Sequence, residues 1–180
     1  NISAIKERVD LPIIGINKQF SNECDVYITP TWEAAREILE VGVDIIALDA
    51  TPRRRPGGEQ VADIVVRIRE EYPDVLVMGE ISTLNEARAA LLMGFDLVST
   101  TLAGYTAESS DVTQAAIELV HDITRITDTP VIAEGRVRCD QDAVDMLEAG
   151  ALAVVVGTSI TRPEVITNRY VEALARRSGQ

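Results

Sequence analysis

The chain has 180 residues, 46% of them apolar, and its 29 acidic against 17 basic side chains leave a formal net charge of -12. That length suits one domain, residues 1–180, with a buried core, and no apolar run approaches the ~18–20 residues of a membrane span. So acidic a chain disfavours nucleic acid, whose affinity rests on a basic face, and an anionic ligand must instead meet a local positive cluster, of which "PRRRP" (52–56) is the densest.

The chain opens at Asn1 with no charged-then-apolar leader, so no secretory signal is expected and the start reads as partway into a longer unit. Residues 1–9, "NISAIKERV", read as a helix. Six apolar runs follow as candidate strands: 11–16, 44–49, 74–79, 96–101, 130–135 and 152–157. Each is nearly uniformly apolar, as strands buried on both faces should be. Helical patterns lie between them. Thr83 with Glu86 predicts a capping box, Asp111 with Gln114 predicts another, and Gly42, Gly94 and Gly150 stand where helices need a left-handed C-terminal residue.

Strand and helix alternate from end to end, the pattern of a parallel sheet covered by helices. The glycines at 42, 94 and 150 recur with a period of roughly fifty residues, two β/α units, which is a quarter of an eightfold barrel. The expected fold is therefore an α/β (β/α)8 TIM barrel of which about the first quarter, two strands and one helix or roughly fifty residues, precedes Asn1. An open doubly wound sheet is the competing fold. It explains the alternation but not the two-unit period.

Active sites of such barrels lie at the C-terminal ends of the strands. The residues there are Lys18; Asp49 with Thr51 and Arg53; Glu80; Thr100 with Thr101; Glu134, Gly135 and Arg136; and Gly157, Thr158 and Arg162. Glu134 ends an apolar run, where a partly dry cavity raises a carboxyl pKa and suits it to acid or base work. Gly135 lets a ligand approach the backbone. The last two loops, "EGR" and "GTSITRP", are where barrels commonly hold a phosphate, with Gly157 and Thr158 offering backbone N–H groups and Arg162 a bidentate contact. Lys18 suits a general base, if desolvated, or a Schiff-base nucleophile.

Other chemistries lack their residues. His121 is the only histidine and lies mid-helix. Cys24 and Cys139 have no metal-ligand spacing and are expected as free thiols. Trp32 reads as packing. No GxGxxG follows a strand, so nothing indicates a nicotinamide cofactor.

The segments "LPIIGINK", "VYITPTWEAA", "DIIALDATPRRRP", "EISTLNEARAALLMGFDLVSTTLAGYT", "PVIAEGRV" and "AVVVGTSITRP" together resemble the N-acylmannosamine-6-phosphate 2-epimerases of bacterial amino-sugar and sialic acid catabolism. The resemblance runs over essentially the whole chain. It implies a phosphate-binding barrel, usually a cytoplasmic homodimer, acting on a phosphorylated amino sugar without metal or organic cofactor and without nucleic acid or membrane partners. It implies catalysis by Lys18 in "GINK" and Glu134 in "AEGR", substrate contacts from Glu80, Asp49 and Arg53, and a phosphate clamp of Arg162 with Gly135, Arg136, Gly157 and Thr158. The chemistry would be removal of the C2 proton, an enol or enolate, and proton return on the opposite face. Two departures stand out. The chain reads "MGEIST" where the family has "MADIST", so Glu80 is longer by one methylene, about 1.5 Å. The first two strands, which carry further substrate contacts, have no counterpart. An aldolase using a Lys18 imine is the enzymatic rival, and a non-catalytic phosphosugar-binding remnant is the other.

Overall fold

The computed structural model describes residues 2–178. In chain order the elements are α1 (Ile2–Lys6), β1 (Ile14–Gly15), α2 (Trp32–Leu39), β2 (Ile45–Asp49), α3 (Val61–Glu71), β3 (Leu76–Glu80) and α4 (Leu84–Leu92). They continue with β4 (Leu97–Ser99), α5 (Ile117–Thr124), β5 (Val131–Glu134), α6 (Asp140–Glu148), β6 (Ala153–Val155), α7 (Thr158–Thr161) and α8 (Pro163–Ser178). All six expected strands form, each starting later than expected; β2 ends at Asp49 as expected, β3 runs one residue further, to Glu80, and β1 shrinks to two residues that among the described residues pair only with β2.

The strands lie in the order β1-β2-β3-β4-β5-β6, every neighbour parallel. A doubly wound sheet must reverse its strand order at a switch point. No reversal occurs here, so the winding is that of a β/α barrel, six strands forming an open arc. Among the described residues β1 and β6 are not paired with each other. The inner face of the arc leaves Ile14 and Leu76 exposed, at 38% and 45%.

Alternation along the strands sorts two cores. Ile46, Leu48, Val77, Val98, Val131 and Ala133 point outward and pack against Ile38, Ile64, Ile68 and Ile123 of the helices. Ala47, Met78, Leu97 and Ile132 point inward and form a second, smaller layer. Burying each Val, Leu, Ile or Met among them contributes roughly 1.5–3 kcal/mol. The inward positions two residues further on are Asp49, Glu80, Ser99 and Glu134, and the register sets Asp49 beside Glu80 and Glu80 beside Ser99. Polar residues thus occupy the rim because the apolar layer beneath them has ended.

The local signals mostly hold. Thr83 accepts from the Glu86 N–H while the Glu86 carboxylate accepts from the N–H groups of Ser82 and Thr83, closing the capping box of α4. Gly42, Gly94 and Gly150 take φ of +80°, +82° and +102° at helix ends. The Asp111–Gln114 box does not form. Helix α5 begins only at Ile117, after Ala116, with no side-chain cap. Upstream, Ser82, Thr106 and Ser109 share a buried hydroxyl network that bends residues 107–109 into a 3-10 turn, and Val112 bonds back to Ser109. Trp32 is buried at the start of α2 with the Arg67 guanidinium across its ring, and both cysteines are free thiols.

Candidate active site

A cavity of about 390 Å³ opens at the C-terminal rim of the strands. It gathers seven of the residues singled out from the sequence: Lys18, Thr101, Glu134, Gly135, Arg136, Gly157 and Thr158. Tyr27, Tyr105, Arg138, Ser159 and Arg169 complete the polar part of its wall.

Each wall residue is held by backbone geometry. Lys18 leaves β1 in a hairpin-like loop, where it bridges to Ile28 and its ammonium lies 5.9 Å from the centre of the Tyr27 ring. The end of β5 is pinned by Thr100, whose hydroxyl donates to the Glu134 carbonyl at 2.9 Å and accepts from the Glu134 N–H at 3.1 Å. Gly135 and Arg136 then both turn left-handed, with φ of +98° and +57°. That reversal carries the Arg136 side chain back to the Gly104 carbonyl and onto the Tyr105 ring, 4.5 Å from its centre. Only glycine fits at 104, because a Cβ there would overlap the Arg136 guanidinium and the Val112 carbonyl. Arg136 Nε is buried without a hydrogen-bond partner. From α8, Arg169 donates to Ser159 Oγ at 2.9 Å and to the Arg138 carbonyl at 2.7 Å.

Two carboxyl groups of the rim are perturbed in the same direction. Burial raises the pKa of Glu134, opposed by a hydrogen bond from Thr101 and by the charge of Lys18. Burial also pushes Glu80 up to about 8, with the charge of Glu134 adding to the rise and Thr101 and Lys18 opposing it. Burial lifts the Tyr27 phenol too, against the pull of Arg53.

Of the ten expected catalytic, substrate and phosphate contacts, four lie outside the cavity wall. Asp49 is fully buried and accepts from the Thr51 N–H (2.9 Å), the Thr51 hydroxyl (2.6 Å) and Arg53 (2.6 Å), while Arg55 donates to its carbonyl. Asp49 and Arg53 therefore spend their hydrogen bonds on each other and on the loop they brace. Glu80 sits next to Asp49, 3% exposed. Arg162 is exposed and paired with Glu164 at 2.7 Å. Tyr27 and Arg169 were not legible as site residues, since the first lies in a loop and the second well inside α8, away from any strand end. Among the described residues no three His, Cys, Asp or Glu side chains are grouped to hold a metal ion, and no helix is long and apolar enough to cross a membrane.

A family model described as "Putative N-acetylmannosamine-6-phosphate epimerase" matches residues 1–176. The chain belongs to that epimerase family. A curated relative from Caldanaerobacter subterraneus subsp. tengcongensis, named "Putative N-acetylmannosamine-6-phosphate 2-epimerase", is 46% identical over 177 residues, 98% of this chain and 75% of the relative. One of the same name from Enterobacter sp. (strain 638) is 44% identical over 180 residues, 99% of this chain and 77% of its own. The solved N-acetylmannosamine-6-phosphate 2-epimerase from Clostridium perfringens superposes with a TM-score of 0.90 at 42% identity, over 96% of this chain and 74% of that one. The epimerase match takes in every residue of the cavity wall, Arg169 included.

Proposed function

We propose that the chain interconverts N-acylmannosamine 6-phosphate and N-acylglucosamine 6-phosphate by inverting C2. The observation that carries this reading is the meeting of Lys18 and Glu134 on one cavity whose other wall bears the guanidinium groups of Arg136 and Arg169. The names of the relatives, 2-epimerases of N-acetylmannosamine 6-phosphate, supply the substrate.

In the open-chain sugar the C2 proton is α to the C1 aldehyde. Lys18 Nζ takes that proton, the C2–H electron pair moves into a C1–C2 double bond, and an enolate oxygen forms at C1. Glu134 accepts a hydrogen bond from a sugar hydroxyl and, as an anion, keeps the Lys18 ammonium near the carbon it must reprotonate. Rotation of the planar enolate about its C2–C3 bond turns its opposite face to the Lys18 ammonium, and return of the proton there inverts C2. The phosphate is met by Arg136 and Arg169 with the backbone of Gly135, Gly157 and Thr158, and Arg162 extends the clamp from the start of α8. Glu80, Asp49 and Arg53 support the sugar end from behind the wall. The protein works as a cytoplasmic homodimer on a soluble phosphosugar, with neither metal nor organic cofactor.

Proton NMR in deuterated water with N-acetylmannosamine 6-phosphate tests the reading. Deuterium entering at C2 with appearance of the glucosamine epimer is expected, lost in Lys18→Ala and strongly reduced in Glu134→Gln. Binding with no exchange would reduce the chain to a phosphosugar binder. A covalent adduct trapped by borohydride at Lys18 would replace the epimerase reading with an aldolase.

A further inference from the structure

Two successive threonines grip Glu134, and they do different things. Thr100, one residue past the end of β4, holds the backbone: its hydroxyl donates to the Glu134 carbonyl and accepts from the Glu134 N–H, continuing the pairing of β4 with β5 beyond its last residue. Thr101 holds the side chain, donating to Glu134 Oε2 at 3.2 Å. This second bond serves no strand. It lies at the cavity, which both Thr101 and Glu134 line.

The direction of each proton follows from what each group can give. A hydroxyl has one proton to donate and two lone pairs to accept with. The Thr101 proton goes to Glu134 Oε2, so Thr101 can only accept from its other neighbour, Ser99 Oγ, at 2.8 Å. Ser99 is fully buried, and leaving its hydroxyl without an acceptor would cost stability. Ser99 therefore donates to Thr101, and the chain of protons runs one way, from Ser99 through Thr101 to Glu134. Glu80, beside Ser99 in register, is not on this chain: its Oε2 is buried and has no hydrogen-bond partner. The two oxygens of Glu134 thus become different. Oε2 is committed to Thr101, while Oε1 takes no hydrogen bond among the described residues.

We propose that Thr101 is a positioning residue: backed by Ser99, its hydroxyl clamps Glu134 Oε2 and thereby reserves Oε1 for the hydroxyl of the sugar. The backbone agrees. A Cβ at Gly135 would come within 3.2 Å of the Thr101 carbonyl, so the glycine is what lets Thr101 press against the end of β5. The electrostatics agree too. The titratable groups facing Glu134 are Lys18, on the loop after β1, and Glu80, at the end of β3, while Arg136 is turned away to the Gly104 carbonyl and the Tyr105 ring. Burial raises the Glu134 pKa, and the Thr101 hydrogen bond and the Lys18 charge are the two influences that oppose it. Without Thr101, Lys18 would oppose burial alone. The kinetic consequence rests on the epimerase reading, but the hold on Glu134 does not.

The test sets shape against hydroxyl. Thr101→Val keeps the branched shape and loses the donor, whereas Thr101→Ser keeps the donor and loses a methyl. The first readout needs no substrate: infrared difference spectra of each protein, minus the same protein carrying Glu134→Gln, follow the Glu134 carboxyl through a pH titration. A hydrogen bond to the charged form favours that form, so the midpoint is expected to rise by about one pH unit in Thr101→Val and to stay in place in Thr101→Ser. An unmoved midpoint in Thr101→Val overturns the proposal whatever the enzyme does. Should Thr101→Val prove too unstable because it orphans the buried Ser99 hydroxyl, adding Ser99→Ala removes the orphan and leaves the comparison intact. In turnover of N-acetylmannosamine 6-phosphate, Thr101→Val is expected to lower kcat by about ten- to a hundredfold and to move its acid limb to higher pH, the cost of a misplaced catalytic group. Thr101→Ser recovers most of that loss. A packing role alone predicts the reverse order, with the valine variant active and the serine variant impaired. That order, or equal losses in the two, refutes the role. A midpoint that shifts as stated in a protein that fails to turn this sugar over sinks the epimerase reading and leaves the hold on Glu134 standing.

Discussion

Gly104→Ala is a test of how the cavity is built, because two separable costs meet at one residue. Gly104 has φ of +80°, and a Cβ there would overlap both the Val112 carbonyl and the Arg136 guanidinium. A left-handed alanine costs about 1–2 kcal/mol on backbone grounds. Forcing a methyl into occupied space adds about 1–3 kcal/mol, so the total is about 2–5 kcal/mol. Gly94 supplies the control: its φ is +82° but a Cβ there meets nothing within 4 Å. Gly94→Ala should therefore lose only the backbone share. Urea denaturation of the two variants measures the difference, which is expected to be about 1–3 kcal/mol. The overlap also has a functional share. Arg136 must leave the Gly104 carbonyl and the Tyr105 ring, and a charge-assisted hydrogen bond of about 1.5–3 kcal/mol corresponds to a loss of about ten- to a hundredfold in kcat/KM. Gly94→Ala, remote from the wall, carries no such share. Equal stability losses in the two variants, or a Gly104→Ala enzyme with unchanged kcat/KM, would refute the account of why the rim carries a glycine opposite Arg136.

Five further outcomes follow from the geometry. Asp49→Ala leaves Arg55, 3% exposed, buried without its counter-charge, and is expected to destabilise the fold by about 3–5 kcal/mol in chemical denaturation. Because the folded-state pKa of Glu80 is raised from the ordinary 4.5 to about 8, the folded chain binds more protons than the unfolded one between those values. Its contribution to stability is thus complete below pH 4.5 and lost as the pH rises through 8, with a slope of at most about 1.4 kcal/mol per pH unit that Glu80→Gln should remove from thermal melts. Thr83→Ala opens the capping box of α4 and should cost about 1 kcal/mol, read in the same melts. Arg169→Ala is expected to raise KM for the phosphosugar at least about tenfold, the worth of one charge-assisted hydrogen bond. Arg162→Ala, which removes only an exposed ion pair, should leave the melting temperature unchanged, so that any rise in its KM reports a phosphate contact.

Much of the architecture could be read from local pattern. The six apolar runs form parallel strands whose outer faces pack against helices, and Gly42, Gly94 and Gly150 sit at helix ends because only glycine enters the left-handed region without strain. The rim was legible to the extent that barrel topology forces strand ends together, which is why Lys18, Glu134, Gly135, Arg136, Gly157 and Thr158 meet on one cavity. The Asp111–Gln114 box misled because its spacing is only a local signal. The Ser82–Thr106–Ser109 hydroxyl network, joining residues 24 apart, outbid it.

The chain's own order of residues determined the strand count, the parallel winding and the face each strand residue occupies, since alternation and helix punctuation are properties of neighbours along the chain. Tertiary structure decided which rim residues are free to meet a ligand. Asp49 and Arg53 look like site residues in sequence yet satisfy each other, Arg162 pairs with Glu164 outside the wall, and Tyr27 and Arg169 enter the wall from a loop and from the interior of a helix. The physical reason is that each donor proton and each acceptor lone pair can be committed only once. Whether a given carboxylate or guanidinium is already spent depends on partners that chain distance does not reveal.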